Sequence, residues 1–190
     1  MSKEDIIRAS ILEASETFFQ KWGIAKTTME DIARAVGKGK STLYYYFKSK
    51  EDVLQAVAMA QAERISLKVR QEVGKKETAK EKLRTYIYTS FLETRRAVTL
   101  FDIARGEMKA NRAILQDIMN KYGAREEKTL EEILNLGRRR REFRSLESHD
   151  VKAAVRAIVA VMRSLTLNLI IDNDDTQLID LVIELIAEGI

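Results

Sequence analysis

The sequence predicts an all-α protein of about nine helices, and three observations carry that reading. The 190-residue chain contains no proline, the strongest helix breaker. Apolar residues recur at helical spacing, while strand alternation is hard to find. Four capping boxes stand ahead of apolar-periodic runs: Ser2/Asp5, Thr28/Asp31, Ser49/Asp52 and Thr78/Glu81. In each, a hydroxyl accepts from an orphan amide and an acid three residues on answers it.

The elements follow in order. Ile7, Ile11, Ala14, Phe18 and Trp22 fall on one face of a first helix. Two brief helices, Thr28 to Val36 and Lys40 to Phe47, flank a glycine turn at Gly37 to Gly39. A long helix runs from Lys50 to about Val73 on Leu54, Ala58, Ala62, Ile65 and Val69, and Gly74 to Lys76 ends it. Leu83, Tyr86, Ile87 and Phe91 mark the next helix, and Leu115, Ile118, Met119 and Tyr122 begin another. Gly137 to Ser148 reads as the longest irregular stretch. Two apolar helices, His149 to Ile171 and Thr176 to Ile190, close the chain. The expected division is a three-helix domain at 1–49 and a helical body at 50–190.

Composition excludes several classes of function. With no cysteine, disulfides, thiol catalysis and thiolate metal sites are out, and the single histidine, His149, cannot build a multi-histidine metal site. No nucleophile–base–acid set or phosphate-cradling glycine loop appears, so neither an enzyme nor a cofactor-dependent protein is expected. Hydrophobic residues at 45% and charged residues at 33% give a globular balance. Met1 to Arg8 lacks the apolar core of a signal peptide. Lys152, Arg156 and Arg163 interrupt the most apolar stretch, leaving Ser164 to Ile171 far short of the ~20 residues of a membrane span. A cytoplasmic protein with no membrane partner is the expectation.

The net charge is only +4, but it is unevenly placed. Residues 34–50 hold Arg34, Lys38, Lys40, Lys48 and Lys50 with no acid, whereas 172–190 hold six acids and no base. One end suits a polyanion and the other repels it.

The informative segment is Thr28 to Lys50, TMEDIARAVGKGKSTLYYYFKSK. Two short helices crossing steeply need a small residue at the crossing, and Ala33 supplies it. Their turn needs a residue tolerant of positive φ, and Gly37 is that residue. Ile32 and Val36 on one helix, and Leu43 and Phe47 on the other, supply the apolar tie. Leu43 and Phe47 are four apart and share a face, which leaves Lys40, Ser41, Tyr44, Tyr45 and Lys48 on the other. Lysines neutralise phosphates, tyrosine hydroxyls and amides at the helix start bind them, and side chains near that start reach base edges. The competing reading is a helical hairpin with a solvated basic face.

From about Ala9 to Val57 the chain resembles the N-terminal domain of the TetR family of transcriptional repressors. The resemblance rests on Ala14, Phe18, Gly23, Thr28, Asp31-Ile32-Ala33, Gly37 and above all Thr42-Leu43-Tyr44-Tyr45-Tyr46-Phe47-Lys48-Ser49-Lys50. It implies that Thr28 caps the second helix and touches a phosphate. It places Lys40, Ser41, Thr42 and Tyr45 toward the major groove, Tyr44 on a backbone phosphate, and Lys50 as a phosphate clamp at the fourth helix. Tyr46 falls beside the buried face. The turn departs from the family pattern: Lys38 stands where an apolar residue is common and adds a cation, and Gly39 stands where a serine usually caps. Arg141-Glu142-Phe143-Arg144 weakly resembles a connection seen in the family before its last two helices.

The resemblance also implies a body that dimerises and binds an inducer. The residues independently support the first, because both terminal helices are apolar nearly all round and need covering on every side. A homodimer through residues 149–190 is expected; burial within one chain is the alternative. The middle helices hold Tyr86, Tyr88, Phe91, Phe101, Met108, Met119 and Tyr122, residues that at helical spacing are usually plain core; the resemblance implies that some of them line a cavity for a small apolar or amphipathic ligand. Asp102, Arg105 and Asn168 could orient it or lie at the surface. The Arg138 to Arg141 run has three readings: a second nucleic-acid site, a solvated loop, or a match to acids on a neighbouring helix.

Taken together, the expectation is a regulator, a repressor that binds palindromic double-stranded operator DNA as a dimer and is released by a small molecule. The rival is a helical interaction module whose motif no longer reads DNA.

Overall fold

A computed structural model describes residues 2–100, 127–143, 146, 150–171, 181–182 and 184–186, and every regular element among them is a helix. They are α1 (Lys3–Lys26), α2 (Met29–Ala35), α3 (Lys40–Tyr46), α4 (Lys50–Gly74), α5 (Ala79–Leu100), α6 (residues 127–140) and α7 (Val151–Ile171), with helical residues again at 181–182 and 184–186. The expected helix beginning near Leu115 lies outside the described residues, as do Phe101, Asp102, Arg105, Met108, Met119 and Tyr122. Among the described residues no helix is long and apolar enough to cross a membrane.

The described residues form two compact units, 2–62 with 98–100 in one and 63–97 with those from 127 onward in the other. The division falls inside α4, so the packing of the first unit enlists the first turns of α4 as well as residues before 50.

The first unit is built on three capped helices. Ser2 and Thr28 each close a reciprocal box with Asp5 and Asp31, satisfying first-turn amides that have no partner within the helix. Ser49 Oγ accepts from the Asp52 amide at 3.1 Å to begin α4. The core gathers Ile11, Phe19, Ile32, Leu43, Phe47, Val53 and Val57 from all four helices. The buried stripe of α1 differs from the expected one. It runs through Ile11, Ser15, Phe19 and Ile24, while Ala14 and Phe18 are half-buried and Trp22 is 50% exposed under the Lys21 ammonium. Two causes account for this. Ser15 counts as polar in any periodicity, yet its hydroxyl donates to the Ile11 carbonyl at 2.6 Å and buries at little cost. Gly23 leaves helical geometry with φ +81°, which re-aims the last turn and brings Ile24 into the core.

The second unit packs Val69 and Val73 of α4, Leu83, Tyr86 and Ile87 of α5, Leu130 and Leu134 of α6, and Val155 and Val159 of α7 around Phe143. Thr78 and Glu81 cap α5 reciprocally. A second acid joins them: Glu142 Oε2 accepts from the Ala79 amide at 2.6 Å and the Lys80 amide at 3.2 Å.

The expected irregular stretch from Gly137 is helical as far as residue 140, so Arg138 to Arg140 form the last turn of α6 and not a loop. Gly137 is no breaker here. A Cβ on it would run into the Phe143 ring, so the glycine is the space into which Phe143 folds back. The turn that sends Phe143 there closes on Arg141, whose φ is +56°. Arginines in this turn also suit the negative end of the helix dipole.

Candidate nucleic-acid interface

The helix-turn-helix forms as its local chemistry dictates. Thr28 Oγ1 accepts from the Asp31 amide at 3.1 Å and donates to Asp31 Oδ2 at 2.6 Å, which fixes the start of α2. These bonds hold the Asp31 carboxyl below its usual 3.8, the Thr28 side chain contributing most and the Thr28 amide next. At the other end, the Gly37 amide donates to the Arg34 carbonyl at 3.1 Å and the Lys38 amide to the Ala33 carbonyl at 2.9 Å. That paired pattern is the Schellman cap, and it requires the left-handed φ of +63° that Gly37 adopts. α3 then begins at Gly39, which caps with no side-chain hydrogen bond.

The orientation of α3 follows from its apolar pair. Leu43 is fully buried and Phe47 is 5% exposed, and Ala33 packs in the same core. The opposite face carries Lys40, Ser41, Tyr44 and Tyr45, all exposed, Tyr45 at 73%. Lys38 and Gly39 before it and Lys48 after it are exposed too. Thr42 is half-buried at the edge of the face. Thr28 is exposed, with its hydroxyl engaged in the cap. Tyr46 packs against the core beside the Tyr45 ring, edge to face at 5.1 Å. Its phenol is pushed up, mainly by burial and further by Glu4 and Tyr45.

Lys50 makes contacts that the sequence did not suggest. Its Nζ donates to the carbonyls of Ile24 at 2.7 Å, Thr27 at 3.1 Å and Ala25 at 3.5 Å. The ammonium therefore caps the C-terminal end of α1.

Two residues that spacing did not single out complete the site, both from α1. The Arg8 guanidinium lies 5.2 Å from the centre of the Phe47 ring and ties α1 to the end of α3. The Glu4 carboxylate receives a hydrogen bond from the Tyr45 hydroxyl at 3.4 Å. Neither could be read from the sequence, because the partners are about forty residues apart and share no periodicity.

An exposed helix carrying lysines, hydroxyls and a half-exposed phenol, held rigid from below by a buried leucine and phenylalanine, can offer cationic and hydrogen-bonding groups to a phosphate backbone and groove. Comparison with known proteins agrees. Residues 11–57 match the model of bacterial regulatory proteins of the tetR family. That stretch, about a quarter of the chain, is similar to the DNA-binding part of TetR-family regulators.

The HTH-type transcriptional regulator TtgR of Pseudomonas putida is 42% identical over 50 residues, covering 26% of this chain and 24% of that protein. The match thus spans about a quarter of TtgR. The fatty acid metabolism regulator protein of Bacillus subtilis is 25% identical over 183 residues, covering 95% of this chain and 93% of that one. Among solved structures, the transcriptional regulator FadR of Bacillus subtilis in complex with stearoyl-CoA superposes with a TM-score of 0.67 at 25% identity, covering 96% of this chain and 98% of that one. The TetR-type all-α fold therefore extends over nearly the whole chain.

In the second unit, Tyr86 is buried, Phe91 is half-buried and Tyr88 is 51% exposed. Tyr88 lines an open cleft of about 530 Å³ with Glu72, Lys76, Arg84, Thr85, Thr89 and Glu184. Its walls carry charges and hydroxyls. Among the described residues no group of three acids or histidines is placed to hold a metal ion.

Proposed function

We propose that the chain is a cytoplasmic, sequence-specific DNA-binding transcriptional regulator and not an enzyme, a repressor that binds a palindromic operator as a homodimer. One observation carries the reading: the face of α3 bearing Lys40, Ser41, Tyr44 and Tyr45 is uncovered, while Leu43 and Phe47 hold it from beneath. Lys38, Gly39 and Thr42 border that face, and Thr28 stands at the start of the motif. Phosphate contacts from these residues position the duplex, and Lys40, Ser41 and Tyr45 enter the groove.

The homodimer uses residues 149–190. Val151, Val155, Ile158 and Val159 face the core of their own unit, yet Ala153, Ala157, Ala160 and Val161 are exposed on the other side of α7. Small residues one turn apart let a second helix approach closely. Leu181 and Leu185, one turn apart, are 51% and 64% exposed and extend the apolar surface. Twofold pairing would set two α3 helices about 34 Å apart, one turn of DNA, or a multiple of it.

The inducer is a long-chain acyl thioester, an amphipathic ligand. The support is the full-length similarity to the fatty acid metabolism regulator of Bacillus subtilis and the stearoyl-CoA complex of FadR from the same organism. Because α4 belongs to both units, ligand bound differently in two states of the second unit changes the spacing of the reading heads.

The test is operator binding to the palindrome upstream of the neighbouring genes. Wild-type protein protects it and releases it on addition of stearoyl-CoA, while Lys40→Ala with Tyr45→Ala abolishes specific binding. Absence of salt-dependent DNA binding by the wild type would leave the helical interaction module as the function.

A further inference from the structure

The arginine run of α6 is not absorbed by the operator-binding reading, and the fold does not leave it alone. The end of α6 meets the turn between α4 and α5. Arg140 donates to the Glu77 carbonyl at 2.9 Å, and Glu142 accepts from the Ala79 and Lys80 amides. Lys82 donates to the Val73 carbonyl at 3.1 Å and to the Lys76 carbonyl. These contacts gather Lys75, Lys76, Lys80, Lys82 and Arg138 to Arg141 at one end of the second unit. Residues 72–82 and 138–142 contain eight basic and four acidic side chains, an excess equal to the net +4 of the whole chain.

Three of the four acids are already committed. Glu72 binds Lys75 at 2.8 Å and Lys68 at 3.1 Å. Glu81 answers the Thr78 cap, and Glu142 sits on the start of α5. Arg140 lies 3.8 Å from Glu142, but among the described residues no carboxylate pairs with Arg138, Arg139 or Arg141, all three of them exposed. One cation answers a helix dipole; four arginines with lysines from two further segments exceed that need.

We propose that this basic end docks a second stretch of duplex DNA by its phosphates. Guanidinium groups match phosphate oxygens two at a time. The cations are spread over three segments and do not converge on a cavity, which fits an extended row of phosphates. None of the large exposed apolar side chains lies within 72–82 or 138–142, so the apolar face that a lipid surface requires is missing. A protein seated on DNA by its first unit meets further DNA at high local concentration, so a few phosphate contacts suffice.

The experiment separates this surface from the reading heads. In the full-length Lys40→Ala/Tyr45→Ala protein, binding of a labelled random-sequence duplex is measured by anisotropy across a salt series. Arg139→Gln and Arg141→Asn are then added; asparagine tolerates the left-handed backbone at 141. The residual affinity falls about tenfold and the log–log salt slope falls by about two, one per lost phosphate contact. The same loss appears when wild-type protein saturated with unlabelled operator is compared with its Arg139→Gln/Arg141→Asn form, whose operator affinity is unchanged. Residual duplex binding that is absent, or that survives the arginine changes, overturns the proposal. So does arginine-dependent binding to phosphatidylglycerol vesicles in place of the duplex. Operator binding that resists Lys40→Ala/Tyr45→Ala counts instead against the operator-reading role of α3, and the operator-saturated comparison still decides the second surface.

Discussion

The ammonium of Lys50, the first residue of α4, lies 2.7 Å from the carbonyl of Ile24 near the end of α1. The same nitrogen reaches the Thr27 carbonyl, and the Thr27 hydroxyl donates to the Gly23 carbonyl at 2.7 Å. A lysine at the start of one helix and a threonine at the end of another thus hydrogen-bond to carbonyls at the C-terminal end of α1. Lys50→Met removes the donor and is expected to destabilise the protein by about 1–3 kcal/mol in denaturant unfolding. The salt dependence of DNA binding tells the two roles apart. A capping Lys50 leaves the slope unchanged in the folded variant, whereas a phosphate clamp lowers it by about one.

The Thr28–Asp31 cap makes the first unit sensitive to acid. Hydrogen bonds hold Asp31 below 3.8, so its folded value lies under its unfolded one. The stabilisation is complete above the unfolded value and disappears as pH falls through the lowered folded value. Asp5 follows the same sign through its bonds to Ser2, the backbone contributing most. Thr28→Val removes the cap, so the variant is less stable than the wild type near neutrality and the gap narrows below about pH 4. Denaturant midpoints at both pH values measure it; a gap constant with pH would mean that Asp31 does not titrate with the fold.

What the sequence disclosed was local. The boxes at Ser2, Thr28 and Thr78 need only a spacing of three, and the Gly37 turn needs only one residue's freedom, so all are visible in a short window. The outward face of α3 was legible for a related reason: Leu43 and Phe47 share a face, and whatever they do not cover is exposed. Features fixed by distant partners were not legible. Ser15 lies in the core because its hydroxyl bonds within its own helix, so Phe19 and not Phe18 is the buried aromatic. Gly137 reads as a breaker until Phe143 is seen folded over it. Glu142 reads as an acid beside arginines until it is found on the start of α5, more than sixty residues away in sequence.

Glu4 is a negative charge at the border of a basic face, bonded to the most exposed tyrosine of α3. In the proposed complex, phosphates approaching Tyr45 would meet its repulsion, and the hydroxyl would have to leave the carboxylate to reach them. Glu4→Gln is expected to tighten DNA binding about two- to fivefold at low ionic strength, with the gain fading as salt rises. In Tyr45→Phe the gain from Glu4→Gln shrinks, since the hydroxyl no longer has to change partners. A full gain in both backgrounds would reduce Glu4 to a background charge.

α2 and α6 end in the same cap with different residues at its left-handed position. After α2, Gly37 and Lys38 donate to Arg34 and Ala33. After α6, Arg141 donates to the Arg138 carbonyl at 3.2 Å and Glu142 to the Gly137 carbonyl at 2.9 Å. The two φ values, +63° and +56°, are nearly alike, but only the first belongs to a glycine. A side chain at such a φ crowds the following carbonyl and costs about 1 kcal/mol. No atom lies within 4 Å of where a Cβ on Gly37 would stand, so the cost of Gly37→Ala is the backbone's alone, about 1 kcal/mol of destabilisation. Arg141→Gly runs the other way: it relieves the backbone, offset in part by the added freedom of the unfolded chain, and raises the thermal midpoint. The pair is checked by thermal unfolding of both variants beside the wild type. If Arg141→Gly lowers the midpoint, the arginine side chain contributes more to α6 than its strained backbone costs.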